Sequence, residues 1–157
     1  MILLVHMLFG AAIGSIFKNP ILAIFLAFLG HYALDILPHI EYLASTEKSI
    51  TNIKHHGFKK STHDSIKVIL DVVLGILLIW VFSKNQPIIY LCGIIAIIPD
   101  GLTVLTHLFP RPLLVKHHQF HGGTIHYLTK QKNFPVLWKI SSQVIAGIIS
   151  IVILVWY

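Results

Sequence analysis

Histidine and aspartate recur in this chain at spacings that set them on common helix faces. His31 and Asp35 are four residues apart and His39 follows four later, Asp64 and Asp71 are seven apart, and Asp100 stands in a stripe with Thr103 and His107. Residues three, four or seven apart share a face of an α-helix, so each set can point inward together. Mixed imidazole and carboxylate donors suit zinc, manganese or ferrous iron, and a cluster this large can hold one divalent ion or a pair. More histidines lie at His6 and in the late group His117, His118, His121 and His126. Cys92 is the only cysteine, which excludes a thiolate-rich zinc site and an intrachain disulfide.

The elements that position these residues are read from hydropathy. Of the 157 residues, 55% are apolar and 11% charged, against about 25% charged in an average soluble domain, so the chain needs a lipid solvent. A hydrocarbon core of about 30 Å takes about 20 residues of helix. Five segments qualify or nearly so: 2–17, 20–37, 63–82, 87–109 and 135–157, separated by polar segments 39–62 and 110–134. The expectation is a single all-α domain, a polytopic membrane bundle of five spans with a metal-binding cavity on one side. Pro20, Pro87 and Pro135 open helices where a missing N–H costs nothing, Pro38 and Pro110 close them, and Thr62 is placed to cap the third. Pro99 should kink the fourth and free a carbonyl just before Asp100. Gly10 and Gly14 have the small-xxx-small spacing of close helix packing. The first segment starts apolar and carries His6, which reads as a retained helix rather than a signal peptide. Trp80, Trp138 and Trp156 with Tyr42 and Tyr157 read as interfacial anchors, and His55 and His56 as a solvated or headgroup-facing surface.

Threading five spans back and forth brings His6, His31, Asp35, His39, His63, Asp64, Asp71, Asp100 and His107 to one half of the membrane, joined by the late histidine group. The opposite half holds no His, Asp or Glu. An Asp near a helix centre costs about 2.5 to 3.5 kcal/mol on insertion scales, so carboxylates gathered there should be paired, protonated or bound to metal. Of the 12 Lys and Arg, only Lys18 and Lys84 fall on the opposite side. The positive-inside rule then turns the N-terminus, both polar segments and the metal site to the cytoplasm. The net charge of +6 is accounted for by that topology and does not argue for nucleic acid.

The runs GHYALDILPH (Gly30 to His39), IPDGL (Ile98 to Leu102) and HHQFHGGTIH (His117 to His126), with His6 ahead of them, resemble the membrane-bound metal-dependent hydrolases of the inner membrane. Those proteins carry an N-terminal His, an HxxxDxxxH element, a PD element and a late His cluster. HxxxDxxxH also resembles, more weakly, zinc-dependent phospholipase C, which implies a zinc cluster that cleaves phosphoesters. This chain departs from the pattern in having PDGL without a second nearby acid, and HHQFHGGTIH where relatives often have an HRGxTHS-like run. The resemblance implies metal ligation by His6, His31, Asp35, His39, Asp100 and the His117 to His126 group. From the residues themselves the ligand candidates are His6, His31, Asp35, His39, Asp71, Asp100, His107, His118, His121 and His126, with Asp64 and His63 as proton acceptor and donor. The expected activity is metal-dependent hydrolysis, zinc being the favoured ion, of a phosphoester in a lipid or amphipathic substrate. The alternatives are a metal-ion or proton-coupled transporter, or a metal-binding membrane protein without catalysis. Haem held by His6 and His31 would leave the aspartates unexplained.

Overall fold

The computed structural model describes residues 2–40, 58–125 and 134–157, except for the side chains of 58–65 and 107, and those residues are all helix and short connections. The helices are α1 (Leu3–Ile16), α2 (Pro20–Asp35), α3 (Phe58–Phe82), α4 (Pro87–Ile95), α5 (Ile98–Leu108), α6 (Pro112–His118) and α7 (Val136–Trp156), with a π-helix (Gln119–Ile125) running on from α6.

Helix α1 is apolar but for His6 and Ser15, whose hydroxyl donates back to the Ala12 carbonyl, and such a helix belongs in the middle of a bundle. It packs against α2, α3, α4 and α7, and Met7, Leu8, Ala11 and Ala12 join Ile79, Ile89 and Leu154 in the main core. The seam with α4 depends on glycine. A Cβ on Gly10 would stand 2.5 Å from both the Ala96 Cβ and the Cys92 carbonyl oxygen, and one on Gly14 3.1 Å from the Ile88 carbonyl oxygen. The expected small-xxx-small packing is therefore present, with α4 as its partner.

The N-terminus of α1 has no side-chain cap of its own, since Ile2 occupies that position. Neighbouring helices supply the acceptors. Asp71 Oδ2 of α3 accepts from the Leu4 amide at 3.0 Å, and Gln143 Oε1 of α7 accepts from the Ile2 amide at 3.2 Å. Free amides and the positive end of the helix dipole both favour a carboxylate there. Helix α2 starts as expected, with Pro20 in its first turn and Asn19 Oδ1 accepting from the Ile21 and Leu22 amides at 3.0 and 3.2 Å.

Three boundaries differ from the sequence reading. The fourth segment is two helices rather than one kinked helix: α4 ends at Ile95, and α5 restarts with Pro99 in its first turn, where proline is best accommodated. Helix α3 begins at Phe58, so Thr62 lies inside it and does not cap it; nothing between Phe58 and His63 is a Gly or Pro that would stop the helix. The segment 110–134, read as polar connection, contains α6 and the π-helix, because Pro112 can open a helix and no breaker follows before Gly122.

Two stretches have the length and apolarity to cross a membrane, Pro87–Thr106 with 20 residues and Val136–Trp156 with 21. Helices α1 and α2 are apolar but hold 14 and 16 residues; at 1.5 Å per residue they reach roughly 21 and 24 Å, short of the roughly 30 Å of hydrocarbon. The outward faces are apolar, with Leu70, Val73, Leu77, Trp80 and Val81 exposed on α3 and Val144, Ile145, Ile148, Val152 and Val155 exposed on α7.

Gly10→Val should force α1 away from α4 and lower stability by about 1–3 kcal/mol, the usual cost of overpacking, read as a lower thermal midpoint in detergent. Gly147→Ala, where an added Cβ meets nothing within 4 Å, serves as the control and should leave the midpoint in place. Equal midpoints for the two variants would contradict the close seam.

Candidate metal centre

Helix α2 places His31 and Asp35 one turn apart on its buried face, both with 0% exposure. The restart at Pro99 turns Asp100 toward them in the first turn of α5, and the π-helix delivers the buried His121. One ligand atom from each of His31, Asp35, Asp100 and His121 lies within 4.8 Å of all the others, so this group can hold a metal ion.

Which nitrogen each imidazole presents follows from what its other nitrogen does. His31 Nδ1 lies 2.7 Å from the Ala96 carbonyl, the group that the helix break makes available, and a carbonyl can only accept. His31 Nδ1 therefore carries a proton and directs Nε2 into the cluster. The Thr103 hydroxyl has one hydrogen and donates it to the Pro99 carbonyl at 3.2 Å, so toward His121 Nδ1, 3.1 Å away, it accepts. His121 Nδ1 is thus the protonated nitrogen, and its Nε2 faces the cluster too. His39 Nδ1 donates to the Leu37 carbonyl at 2.7 Å by the same logic. Partners of this kind are what orient metal-binding histidines.

Three acceptor atoms then meet at close quarters. His31 Nε2 is 3.0 Å from Asp35 Oδ2, His121 Nε2 is 2.9 Å from the same oxygen, and the two nitrogens are 3.1 Å apart. Asp100 Oδ1 lies 3.6 Å from His31 Nε2 and 3.9 Å from His121 Nε2. Lone pairs facing one another at such distances repel unless a cation sits among them, either a proton or a metal ion. Donors at about 2.0–2.2 Å from a tetrahedral ion are separated by about 3.3–3.6 Å, which falls inside the observed range. Two carboxylates with neutral imidazoles also match the charge of one divalent ion. Asp100 Oδ2 is buried and makes no hydrogen bond with the described residues.

On the far side of the same carboxylate, His6 Nε2 is 3.2 Å from Asp35 Oδ1 and His39 Nε2 is 3.8 Å from it. The His6 ring stacks on that of His31, with centroids 4.1 Å apart and planes inclined by 26°. The segment carrying His39 is tied to α7 by the Ser142 hydroxyl, which donates to the Pro38 carbonyl.

Of the ligand candidates, the structure thus brings His31, Asp35, Asp100 and His121 together and sets His6 and His39 against them. Asp71 lies apart from these four converging residues, and its Oδ2 accepts from the Leu4 amide at the N-terminus of α1. Of the adjacent pair His117 and His118, it is His117 whose ring lies against His121, at 5.7 Å, while His118 is half-buried at the end of α6. His107 is in α5, and His63 and Asp64 are in α3, with their side chains outside the described residues; His126 lies outside them altogether.

The reading by residue type missed the second partners. Thr103 was visible as a polar neighbour of Asp100 but not as the group that holds His121. Tyr32, next to His31 in sequence, was not singled out at all; its hydroxyl is hydrogen-bonded with His117 Nε2 at 3.0 Å, and its ring stands edge-on to His31 and His121. Burial, with His121 and His31 nearby, pushes the His117 imidazole below its ordinary pKa, which favours its neutral form.

Thr103→Val removes the acceptor from His121 Nδ1 while keeping the side-chain shape. Divalent-ion affinity, measured by competition with a chelating dye, should fall by about 10- to 100-fold; an unchanged affinity would mean that Thr103 does not orient His121. No protein-family model, curated protein or solved structure matches the chain, so the centre is interpreted from its own geometry.

Proposed function

We propose that the chain is a membrane-embedded metal-dependent hydrolase whose substrate is a phosphoester of a lipid or another amphipathic molecule. The observation that supports this most directly is the set of converging acceptors, His31 Nε2, His121 Nε2, Asp35 Oδ2 and Asp100 Oδ1, with both imidazoles fixed from behind. The likeness of GHYALDILPH, IPDGL and HHQFHGGTIH to membrane-bound metal-dependent hydrolases points the same way. Zinc is the ion this donor set suits best, with manganese and ferrous iron next.

A divalent ion in that position supplies Lewis acidity and the power to acidify water toward neutral pH. The residues do the rest. Asp35 and the imidazoles would hold the ion's charge in a buried site, and Asp100, the most exposed of the four, has in Oδ2 an oxygen without a hydrogen-bond partner among the described residues that would take a proton from water. Tyr32 and His117 form a hydrogen-bonded pair beside the cluster from which a leaving alkoxide can take a proton. Arg111 and the exposed Lys116 on the adjoining helix offer positive charge to a phosphate.

The membrane setting belongs to the same proposal. Apolar outward faces on α3 and α7 with polar groups turned inward are the reverse of a soluble bundle, and two stretches, Pro87–Thr106 across α4 and α5 and Val136–Trp156 in α7, have spanning length. In this reading five spans thread the bilayer with the N-terminus and the metal centre on the cytoplasmic side of an inner membrane, and substrate enters from the membrane plane. A haem held between His6 and His31 is disfavoured, since their rings stack face to face rather than opposing each other end-on across an iron.

Untagged protein purified in detergent should carry at least one equivalent of zinc, manganese or iron by elemental mass spectrometry, lost in Asp35→Asn. Hydrolysis of a chromogenic phosphodiester should disappear on chelation and return with the ion. Protein that is metal-free and stays so after incubation with these ions would sink the proposal.

A further inference from the structure

The exposed apolar faces of α3 and α7 carry no Lys or Arg from Leu70 to Val81 or from Val144 to Val155, as contact with acyl chains requires. The surface made by the end of α5, by α6 and by the start of the π-helix is of another kind. Leu113 is 79% exposed, Phe109 61% and Phe120 50%. Among them stand Arg111 and Lys116, both exposed and neither in an ion pair among the described residues. Helix spacing explains the division: Leu113, Lys116 and Phe120, three and seven positions apart, share the outward face, while His117 and His121 turn inward to Tyr32 and to the metal centre.

We propose that this surface lies in the headgroup layer of an anionic bilayer, with Phe109, Leu113 and Phe120 among the upper acyl segments and Arg111 and Lys116 on lipid phosphates. Two observations select that occupant. The first is charge: beyond Asp100 the chain has five Lys and Arg and no Asp or Glu, so no acid in that part of the sequence competes for the two cations. A second copy of the chain would bring the same positive charge to the same face and be repelled. The other is the mixture itself. Large apolar side chains alternating with long basic ones, whose stems lie along apolar surface while their ends reach phosphate, suit an element lying in the interface.

The same surface adjoins the metal centre. The Phe120 ring stands edge-on to Tyr32 with centroids 5.8 Å apart, and Tyr32 stands edge-on to His31 and His121. A lipid seated against Phe120 is therefore one ring away from the cluster. On the hydrolase reading, on which this last step rests, the substrate is a lipid of net negative headgroup charge rather than a zwitterionic one.

The full chain with Leu113→Cys, labelled with a polarity-sensitive bimane, provides the test, since Cys92 is fully buried and out of the reagent's reach. In nanodiscs containing phosphatidylglycerol the label should emit at shorter wavelength than in pure phosphatidylcholine, and lipids carrying a nitroxide near the headgroup should quench it. The phosphatidylglycerol fraction that gives half the shift should rise about fivefold on adding either Arg111→Gln or Lys116→Gln. Equal emission in the two lipids would overturn the proposal. So would a shift that inorganic phosphate reproduces in pure phosphatidylcholine, which marks a free-anion site, or a blue-shifted label that nitroxide lipids do not quench, which marks a protein occupant such as a second copy. Zinc content measured on the same samples separates the two readings. Bound zinc without lipid dependence overturns the surface alone, and lipid dependence without zinc upholds the surface while overturning the hydrolase.

Discussion

Everything in this bundle is arranged around one buried carboxylate. Asp35 is fully buried, with imidazole nitrogens near both of its oxygens, contributed by α1, α2, the segment after α2 and the π-helix. A charge so placed is tolerable only with a cation close by, since the desolvation of an isolated carboxylate is far larger than any packing gain. Two of the surrounding histidines already spend their outer proton on fixed acceptors, the Ala96 carbonyl and the Thr103 hydroxyl, so the inner nitrogens are left as electron-pair donors. The capacity to hold a cation is thus set partly by the backbone, through a broken helix that offers a carbonyl.

The framework around that carboxylate is held by contacts that tolerate little movement. Gly10 and Gly14 allow α1 to lie against α4 closely enough for His6 and the Ala96 carbonyl to reach the same cluster. The amides at the start of α1 are held by acceptors from α3 and α7, so the helix that carries His6 is fixed at its end by two others. Precision of this order matters because coordination loses its strength over a few tenths of an ångström.

How much of this was legible in the sequence depends on the range of the interaction. His31, Asp35 and His39 announce themselves by a spacing of four on one apolar stretch, and Asp100 by a carboxylate directly after a proline, because helix periodicity and proline geometry are local rules. The hydropathy pattern likewise located the long apolar helices. What pattern could not supply was competition for the same side chain. Asp71 has the spacing of a ligand, yet it serves the uncapped start of α1, and only the packing of α3 against α1 reveals that need. The choice of His117 over His118 rests on a contact with Tyr32 that residue type does not signal, and His121 is delivered by a π winding that no propensity scale signals. Pro99 was visible as a disturbance of the fourth segment, but that Pro112 would open a further helix within the polar segment was not.

The pairing of His31 with His121 joins positions 90 residues apart in the chain. Bridging them through an ion closes a long loop, and by the polymer estimate for a covalent bridge of that span this removes on the order of 4–5 kcal/mol of unfolded-state entropy, as an upper bound for a reversible tie. With a single cysteine, this protein has no disulfide of its own to do so. The ion would then act as the clasp of the bundle as well as its reactive centre, and chelation would loosen α2 from the π-helix before it silenced any chemistry. A protein so clasped would report the metal supply of its compartment through its own durability.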